Sequence, residues 1–157
     1  MSPNNTFGVR MFSKNFSDKE FERSDTASRL GIDNSLTPSV ANNLQYLVDT
    51  VLQPLRQSLM RPIRITSGYR SPELNTAVRG SSTSQHMRGE AADIKVAGYS
   101  GERLANLIIS SGVPFDQLIW YDVERGGHVH IALSKPVPSM QVLHAPKSGG
   151  YLNWTTK

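Results

Sequence analysis

The chain has 157 residues, of which 38% are apolar and 19% are charged, and its net charge is +4. At this length we expect a single globular domain, residues 1–157, that buries about two-thirds of the surface of its unfolded chain. The sequence predicts no membrane span, because no apolar run approaches the ~20 residues that a spanning helix needs. The absence of cysteine excludes thiolate metal ligands and disulfide bonds.

The positive net charge favours an anionic partner, either nucleic acid or the bacterial cell envelope. The basic residues are scattered and are not interleaved with aromatic residues, so nucleic acid is disfavoured. Residues 1–16 lack a basic tip followed by an apolar core, which predicts synthesis in the cytoplasm without a secretory signal peptide.

Residues 1–60 carry mainly helical signals. Residues 17–20 have the spacing of a capping box and predict a short helix. Thr37-Pro38 then opens a longer helix, which we expect Pro54 to kink or interrupt near its end. Its apolar residues recur at steps of three and four, as a core-facing stripe requires: Val40, Leu44, Leu47, Val48, Val51, Leu52 and Leu55.

Residues 61–135 alternate strand and helix signals, and residues 136–157 form a C-terminal segment. Strands are predicted at residues 63–66, 93–96, 117–123 and 128–133, with short helices beginning at Ser71-Pro72 and after Ser100. A turn at residues 125–127 joins the last two strands. Together these elements predict an α+β domain, with a mainly antiparallel sheet and helices packed on one side.

A candidate metal site lies within the string SQHMRGEAAD, residues 84–93, and the later tripeptide His-Val-His, residues 128–130. A catalytic zinc ion is usually held by three protein ligands and keeps a fourth position for water. Two imidazoles and a carboxylate satisfy this pattern, which makes His86, Asp93 and His130 the candidate ligands. The alternative is that the strand histidines only face solvent or accept hydrogen bonds.

Strand geometry favours the metal hypothesis. Residues two apart on a strand face the same side, so His128 and His130 point together while Val129 points into the core. A neighbouring strand can present Asp93 on that polar face. Gly89 offers a turn by which the preceding loop brings His86 over the sheet.

The strings SGYRS, SQHMRGEAAD and HVH resemble the zinc D-Ala-D-Ala carboxypeptidase family of peptidoglycan peptidases, whose fold is Hedgehog-like. The family signature is Ser-x-His-x-x-Gly-x-Ala-x-Asp, followed later by Trp-x-His or His-x-His. The resemblance covers about residues 62–133. Every anchor of the first signature is present: Ser84, His86, Gly89, Ala91 and Asp93.

The resemblance implies a zinc ligand set of His86, Asp93 and His130. Arg70 matches the family arginine that holds a substrate carboxylate or polarises the scissile carbonyl, a role that suits a planar and always charged donor. Ser84 matches a position that supports the substrate site by hydrogen bonding.

The general base departs from the family pattern. Several members carry an acidic residue three positions before the last histidine ligand, and here that position is Gly127. The Hedgehog domain has a Glu followed by His-x-His at the spacing of Glu124, His128 and His130. Glu124 and His128 are therefore the two candidate substitutes. We expect Glu124 to be the base and His128 to stabilise the transition state, with His128 as base the open alternative and Asp122 as the reserve.

The function implied is zinc-dependent hydrolysis of a stem peptide or cross-link of peptidoglycan, by a D,D-carboxypeptidase or an endopeptidase. Without a signal peptide, such an enzyme would reach the bacterial cell wall as a phage endolysin released by a holin, or as a lysin carried on a virion tail. The peptide bond, the host and the oligomeric state stay open.

Three other classes fit part of the pattern. A catalytically inactive module that binds metal and the cell wall would explain the missing acid at Gly127. A structural virion protein, in which hydrolysis is secondary, is another. Two histidines and a carboxylate also form the facial triad of non-haem iron oxygenases. That triad usually has its first histidine and its carboxylate close together on one strand, unlike His86 and Asp93.

Overall fold

The computed structural model describes residues 8–134 and 138–155. The expectations about an N-terminal leader and about the whole C-terminal segment rest partly on residues 1–7, 135–137 and 156–157, which lie outside the described residues. Within the described ranges, no helix is long and apolar enough to cross a membrane.

The N-terminal part begins with a small antiparallel hairpin, β1 (Met11–Ser13) and β2 (Phe16–Ser17), followed by helix α1 (Asp18–Glu22). The predicted capping box at the start of α1 is confirmed, because the Ser17 N–H donates to the Glu20 carboxylate at 2.7 Å. Helix α2 (Asp25–Leu30) follows; neither it nor the hairpin was predicted from the sequence.

The predicted long helix is confirmed as α3 (Pro38–Leu47), which continues through a π-helical turn at Val48–Leu52 into α4 (Gln53–Leu59). Its first turn is capped by Thr37, whose hydroxyl accepts the N–H of Val40 at 3.3 Å. Pro54 has no N–H to donate, and the π-turn ends two residues before it. The helix therefore changes its hydrogen-bonding pattern near Pro54 but does not end there.

One six-stranded sheet carries the rest of the molecule, in the order β3-β4-β6-β5-β7-β8. All neighbouring strands are antiparallel except β5 and β7, which are parallel. The predicted class, an α+β domain with a mainly antiparallel sheet, is confirmed. The elements are β3 (Arg64–Ser67), α5 (Pro72–Ala77), β4 (Ala91–Lys95), α6 (Gly101–Ser111), β5 (Gln117–Tyr121), β6 (Val129–Ala132), β7 (Gln141–Ala145) and β8 (Leu152–Asn153).

The two faces of the sheet have different environments. Ile94, Val129 and Leu118 are fully buried on one face, in one core with the apolar stripe of α3 and α4 and with Leu104 and Ile108 of α6. Because side chains alternate along a strand, Asp93 and His130 lie on the opposite face. The helical layer thus leaves the polar face open for a site.

Candidate metal centre

Asp93 and His130 are directly opposite each other on the neighbouring strands β4 and β6. His130 Nδ1 lies 3.1 Å from Asp93 Oδ1. Only 8% of each residue is exposed, so the pair is withdrawn from bulk water although it stands on the polar face.

His86 reaches this pair from a 3₁₀ turn, Gln85–Arg88, that lies over the sheet. The Ser84 hydroxyl caps the turn by accepting the His86 N–H at 3.3 Å. Gly89 ends the turn with a φ of +72°, and a Cβ at this position would lie 2.7 Å from the carbonyl oxygen of Val40. Glycine is therefore required where the chain turns back, and His86 Nε2 comes to 3.3 Å from Asp93 Oδ1.

Each histidine ring has a hydrogen-bond partner on its far side. The Gly68 carbonyl accepts a hydrogen bond from His86 Nδ1 at 2.7 Å, and Gln85 Oε1 lies 3.1 Å from His130 Nε2. Each ring can then present the lone pair of its other nitrogen, on the side of Asp93, to a metal ion. Metal-binding histidines are usually oriented in this way, by a carbonyl or carboxylate behind the ring.

The donor set fits a catalytic zinc ion. The ligand atoms of His86, Asp93 and His130 all lie within 4.8 Å of one another. Two lone pairs and a carboxylate that converge repel one another unless a cation, either a metal ion or added protons, lies among them. Two imidazoles and one carboxylate are a common zinc set that leaves a fourth position for water or substrate.

The charge state of Asp93 agrees with this role. Burial raises the pKa of its carboxyl, but the charge of His86 and the hydrogen bond with His130 outweigh burial and hold that pKa well below its usual value. Asp93 is therefore ionised at neutral pH, as a metal ligand must be.

Arg70 borders the same carboxylate. Its Nη2 lies 3.7 Å from Asp93 Oδ2, and its Nε donates to the hydroxyl of Ser67 at 3.3 Å. The backbone N–H of Arg70 also donates to the His86 carbonyl at 3.1 Å. These bonds fix the guanidinium at the margin of the centre, where it lines the same cavity of about 480 Å³ as the candidate ligands.

His128 lies beside the centre, with Nε2 3.9 Å from Asp93 Oδ2. Its ring stacks on Tyr121, with 4.1 Å between the ring centroids. Burial lowers the pKa of His128, and the nearby Asp93 carboxylate only partly opposes this effect. The imidazole is therefore neutral at pH 7 and able to accept a proton.

A comparison with protein families shows which family the chain belongs to. The family model described as Peptidase M15 matches residues 14–132, which is well over half of the chain and includes every residue of the centre. The chain belongs to the Peptidase M15 family. This is the family of the zinc D-Ala-D-Ala carboxypeptidases, so the resemblance predicted from the motifs is confirmed. No curated protein matches the chain.

The match supports a peptidase, and M15 peptidases are zinc-dependent. The match does not reach β7 and β8, which pack at the β5 edge of the sheet. The individual roles of the site residues stay predictions.

The two carboxylates that the sequence predicted as candidate general bases do not line the metal cavity of this M15 chain. Glu124 is exposed in a 3₁₀ turn, Val123–Arg125, and lines a separate cavity of about 950 Å³. Asp122 accepts hydrogen bonds from His144 Nε2 at 2.7 Å and from the Lys147 N–H at 2.9 Å. The assignment of Glu124 as base stays a prediction that no contact of the described residues supports.

Several residues that line the metal cavity of this peptidase were not predicted from the sequence, among them Gln85, Tyr121 and Tyr151. Gln85 lies inside the signature, at a position that the signature leaves variable. Tyr121 is two residues from Ile119, which pairs with His130, so it shares the polar face of the sheet; this register is visible only in the structure. Tyr151 belongs with Trp154 to an aromatic pair in the terminal segment, for which the sequence favours a packing anchor over a binding site.

Gly68 packs closely against α1, and its carbonyl stands behind His86. A substitution at Gly68 therefore tests how this contact stabilises the metal centre. A Cβ at Gly68 would lie 2.6 Å from Phe21 Cα and 2.8 Å from the Phe21 carbonyl oxygen. We expect Gly68→Ala to lower the free energy of unfolding by about 1–3 kcal/mol, because the backbone must move. The same movement shifts the carbonyl behind His86, and the loss of such a partner costs about 10–100-fold in metal affinity.

Denaturant unfolding and zinc titration of Gly68→Ala check both effects. An unfolding free energy and a zinc affinity equal to those of the wild type would contradict the close packing at this position.

Proposed function

We propose that this chain is a zinc-dependent peptidase that hydrolyses an amide bond in peptidoglycan stem peptides or cross-links. The observation that carries the proposal is the convergence of His86 Nε2, the Asp93 carboxylate and His130 Nδ1 on one point of an open sheet face. Membership of the M15 family supports it.

His86, Asp93 and His130 would hold the zinc ion. When bound, zinc polarises a carbonyl and lowers the pKa of a water molecule to about 7. Arg70 would bind a carbonyl or carboxylate oxygen of the peptide, because its charge borders the ligands and cannot be lost by deprotonation. Ser84 would act through its cap on the His86 turn, which keeps that ligand in place.

For the general base we propose His128. Its Nε2 lies beside Asp93, and the lowered pKa keeps the ring neutral at pH 7. His128 would accept a proton from the attacking water and return it to the leaving amine. Glu124 is the less favoured candidate, because it lines the other cavity and is exposed.

The biological setting is also part of the proposal. The bacterial wall is anionic, and a net charge of +4 attracts the chain towards it. A phage endolysin released by a holin, or a lysin carried with virion tail components, is a setting in which such a peptidase meets this polymer. D,D-carboxypeptidase and endopeptidase action both suit the same centre.

Digestion of bacterial sacculi tests the proposed function. Purified zinc-loaded protein is incubated with sacculi of several wall chemotypes, beside a chelated control, and the muropeptides are measured by mass spectrometry. We expect new fragments that disappear on chelation, and their masses identify the bond. Absence of new fragments from every wall type would contradict the proposal.

A second candidate, an inactive module that binds the wall, is favoured by one observation. Among the described residues that line the metal cavity, Asp93 is the only carboxylate. A peptidase that uses a carboxylate as its general base would need a second carboxylate in this cavity. Zinc binding with retention on sacculi but without released fragments would support this second candidate.

A further inference from the structure

The metal cavity is bordered by a side chain from the C-terminal segment, outside the region that the family model matches. Tyr151 directly precedes β8 and lines this cavity together with Arg70, Asp93 and His130. β8 pairs with β7, and β7 pairs in parallel with β5, which carries Tyr121. The unpredicted C-terminal strands therefore bring Tyr151 to the edge of the centre.

Several contacts hold Tyr151 in this position, although 54% of the residue is exposed. Its hydroxyl lies 3.5 Å from the Tyr121 hydroxyl, and the two rings are edge to face with centroids 6.3 Å apart. The Arg125 guanidinium lies 5.4 Å from the Tyr121 ring centroid and 5.3 Å from that of Tyr151. It also donates to the Gly150 carbonyl at 2.7 Å.

A large exposed aromatic side chain that is fixed by a guanidinium beside a catalytic cavity needs an explanation other than packing. The ring of Tyr151 does not belong to the apolar core, whereas its near neighbour Trp154 packs against that core. Tyrosine combines an apolar ring with a hydroxyl that donates and accepts, and such rigid amphipathic side chains are typical of binding surfaces.

Tyr121 forms the other half of the same wall. Its ring stacks on His128, and its hydroxyl faces that of Tyr151. Burial, reinforced by the hydrogen bond with Tyr151, raises the pKa of Tyr121, so its hydroxyl keeps its proton at any working pH. One of the two phenol protons serves the hydrogen bond between the hydroxyls, and the other can be donated to an oxygen atom of a bound peptide.

We propose that Tyr151, held by Arg125 beside Tyr121, is a substrate-contacting residue that sets the affinity of this M15 chain for its peptide. This inference rests on the proposed function and adds a residue that the family match does not contain. The phenol hydroxyl donates to a carbonyl or carboxylate oxygen of the peptide, and the ring covers a small apolar side chain such as that of alanine. Arg125 is a positioning residue, because its contacts are with the two tyrosines and the loop carbonyls.

Steady-state kinetics on a purified muropeptide that contains the bond cleaved in sacculi test this role. We expect Tyr151→Ala to raise KM about tenfold or more and Tyr151→Phe to raise it less, since one hydrogen bond is worth up to about tenfold in affinity. Turnover at saturation should change less than KM, because the tyrosine acts on binding. Arg125→Gln keeps both phenols but frees Tyr151, and it should raise KM in the same direction.

Leu152→Ala is the matched control, because Leu152 is the next residue, is 57% exposed and does not line the metal cavity. Its KM should equal that of the wild type. Zinc content and melting temperature are measured for every variant, so that a loss of folding is not mistaken for a loss of binding.

Failure of the Tyr151 role and failure of the proposed function give different results. If the wild type turns over and both Tyr151 variants have the KM of Leu152→Ala, the role of Tyr151 is overturned and the proposed function stands. If the wild type releases no fragment from any sacculi, the proposed function is overturned, and this inference with it.

Discussion

His130→Ala is expected to abolish zinc binding and hydrolysis together. The alanine removes one of three ligand atoms, and two protein ligands alone hold zinc much more weakly than the usual three. We expect zinc content to fall from one ion per chain towards zero, and turnover to fall at least ~10⁴-fold, the scale seen when one member of a catalytic unit is removed. Elemental analysis and muropeptide release measure the two losses.

His144→Ala is the control for this prediction. His144 is also a strand histidine beside a carboxylate, with Nε2 2.7 Å from Asp122 Oδ1, but it does not line the metal cavity. The variant should keep one zinc ion per chain. Full zinc content and normal turnover in His130→Ala would show that the metal is held elsewhere.

His128→Asn is expected to keep zinc and to lose turnover by about 10²–10⁴-fold, the usual contribution of a general base. Asparagine has no group that accepts and returns a proton, whereas His128 presents a neutral imidazole nitrogen 3.9 Å from Asp93 Oδ2. KM should change little, because the variant affects proton transfer. Single-turnover kinetics of the zinc-loaded variant provide the measurement.

Glu124→Gln is the matched comparison, because it tests the carboxylate that the Hedgehog-like spacing predicts to be the general base. Glu124 is exposed and lines the larger cavity, so we expect turnover close to that of the wild type. The opposite pattern, with Glu124→Gln almost inactive and His128→Asn active, would restore Glu124 as the base.

The candidate ligands could be predicted from the sequence because local rules position them. The alternation of side chains along a strand puts Asp93 and His130 on one face, and a capped turn that ends in glycine brings His86 over them. The apolar stripe of α3 and α4 likewise follows from its helical period. Within each strand, turn or helix the determining residues are close together in the sequence, whereas the pairing of β4 with β6 joins Asp93 to His130 across 37 residues.

The position of Glu124 could not be predicted, because it depends on how one loop turns. The Asp122 carbonyl accepts hydrogen bonds from the N–H groups of Arg125 and Gly127, which closes a tight turn there. Gly126 and Gly127 both have positive φ, of 110° and 64°. Spacing along the sequence places Glu124 near His128 but does not say which cavity it faces.

The C-terminal strands escaped prediction for a different reason. β7 is parallel to β5, and no local turn signal in the sequence indicates a parallel pairing. Its side chains are mostly half-buried, so its residues show no clear alternation of apolar and polar types. The position of Tyr151 depends on this pairing and was therefore hidden as well.

Titration of metal-free protein with zinc, followed by the rate of muropeptide hydrolysis, tests most directly whether His86, Asp93 and His130 hold the catalytic metal. The rate should rise linearly and reach a plateau at one zinc ion per chain, and Asp93→Ala should stay inactive throughout. A rate that chelation leaves unchanged, or an Asp93→Ala variant that zinc activates like the wild type, would contradict this assignment.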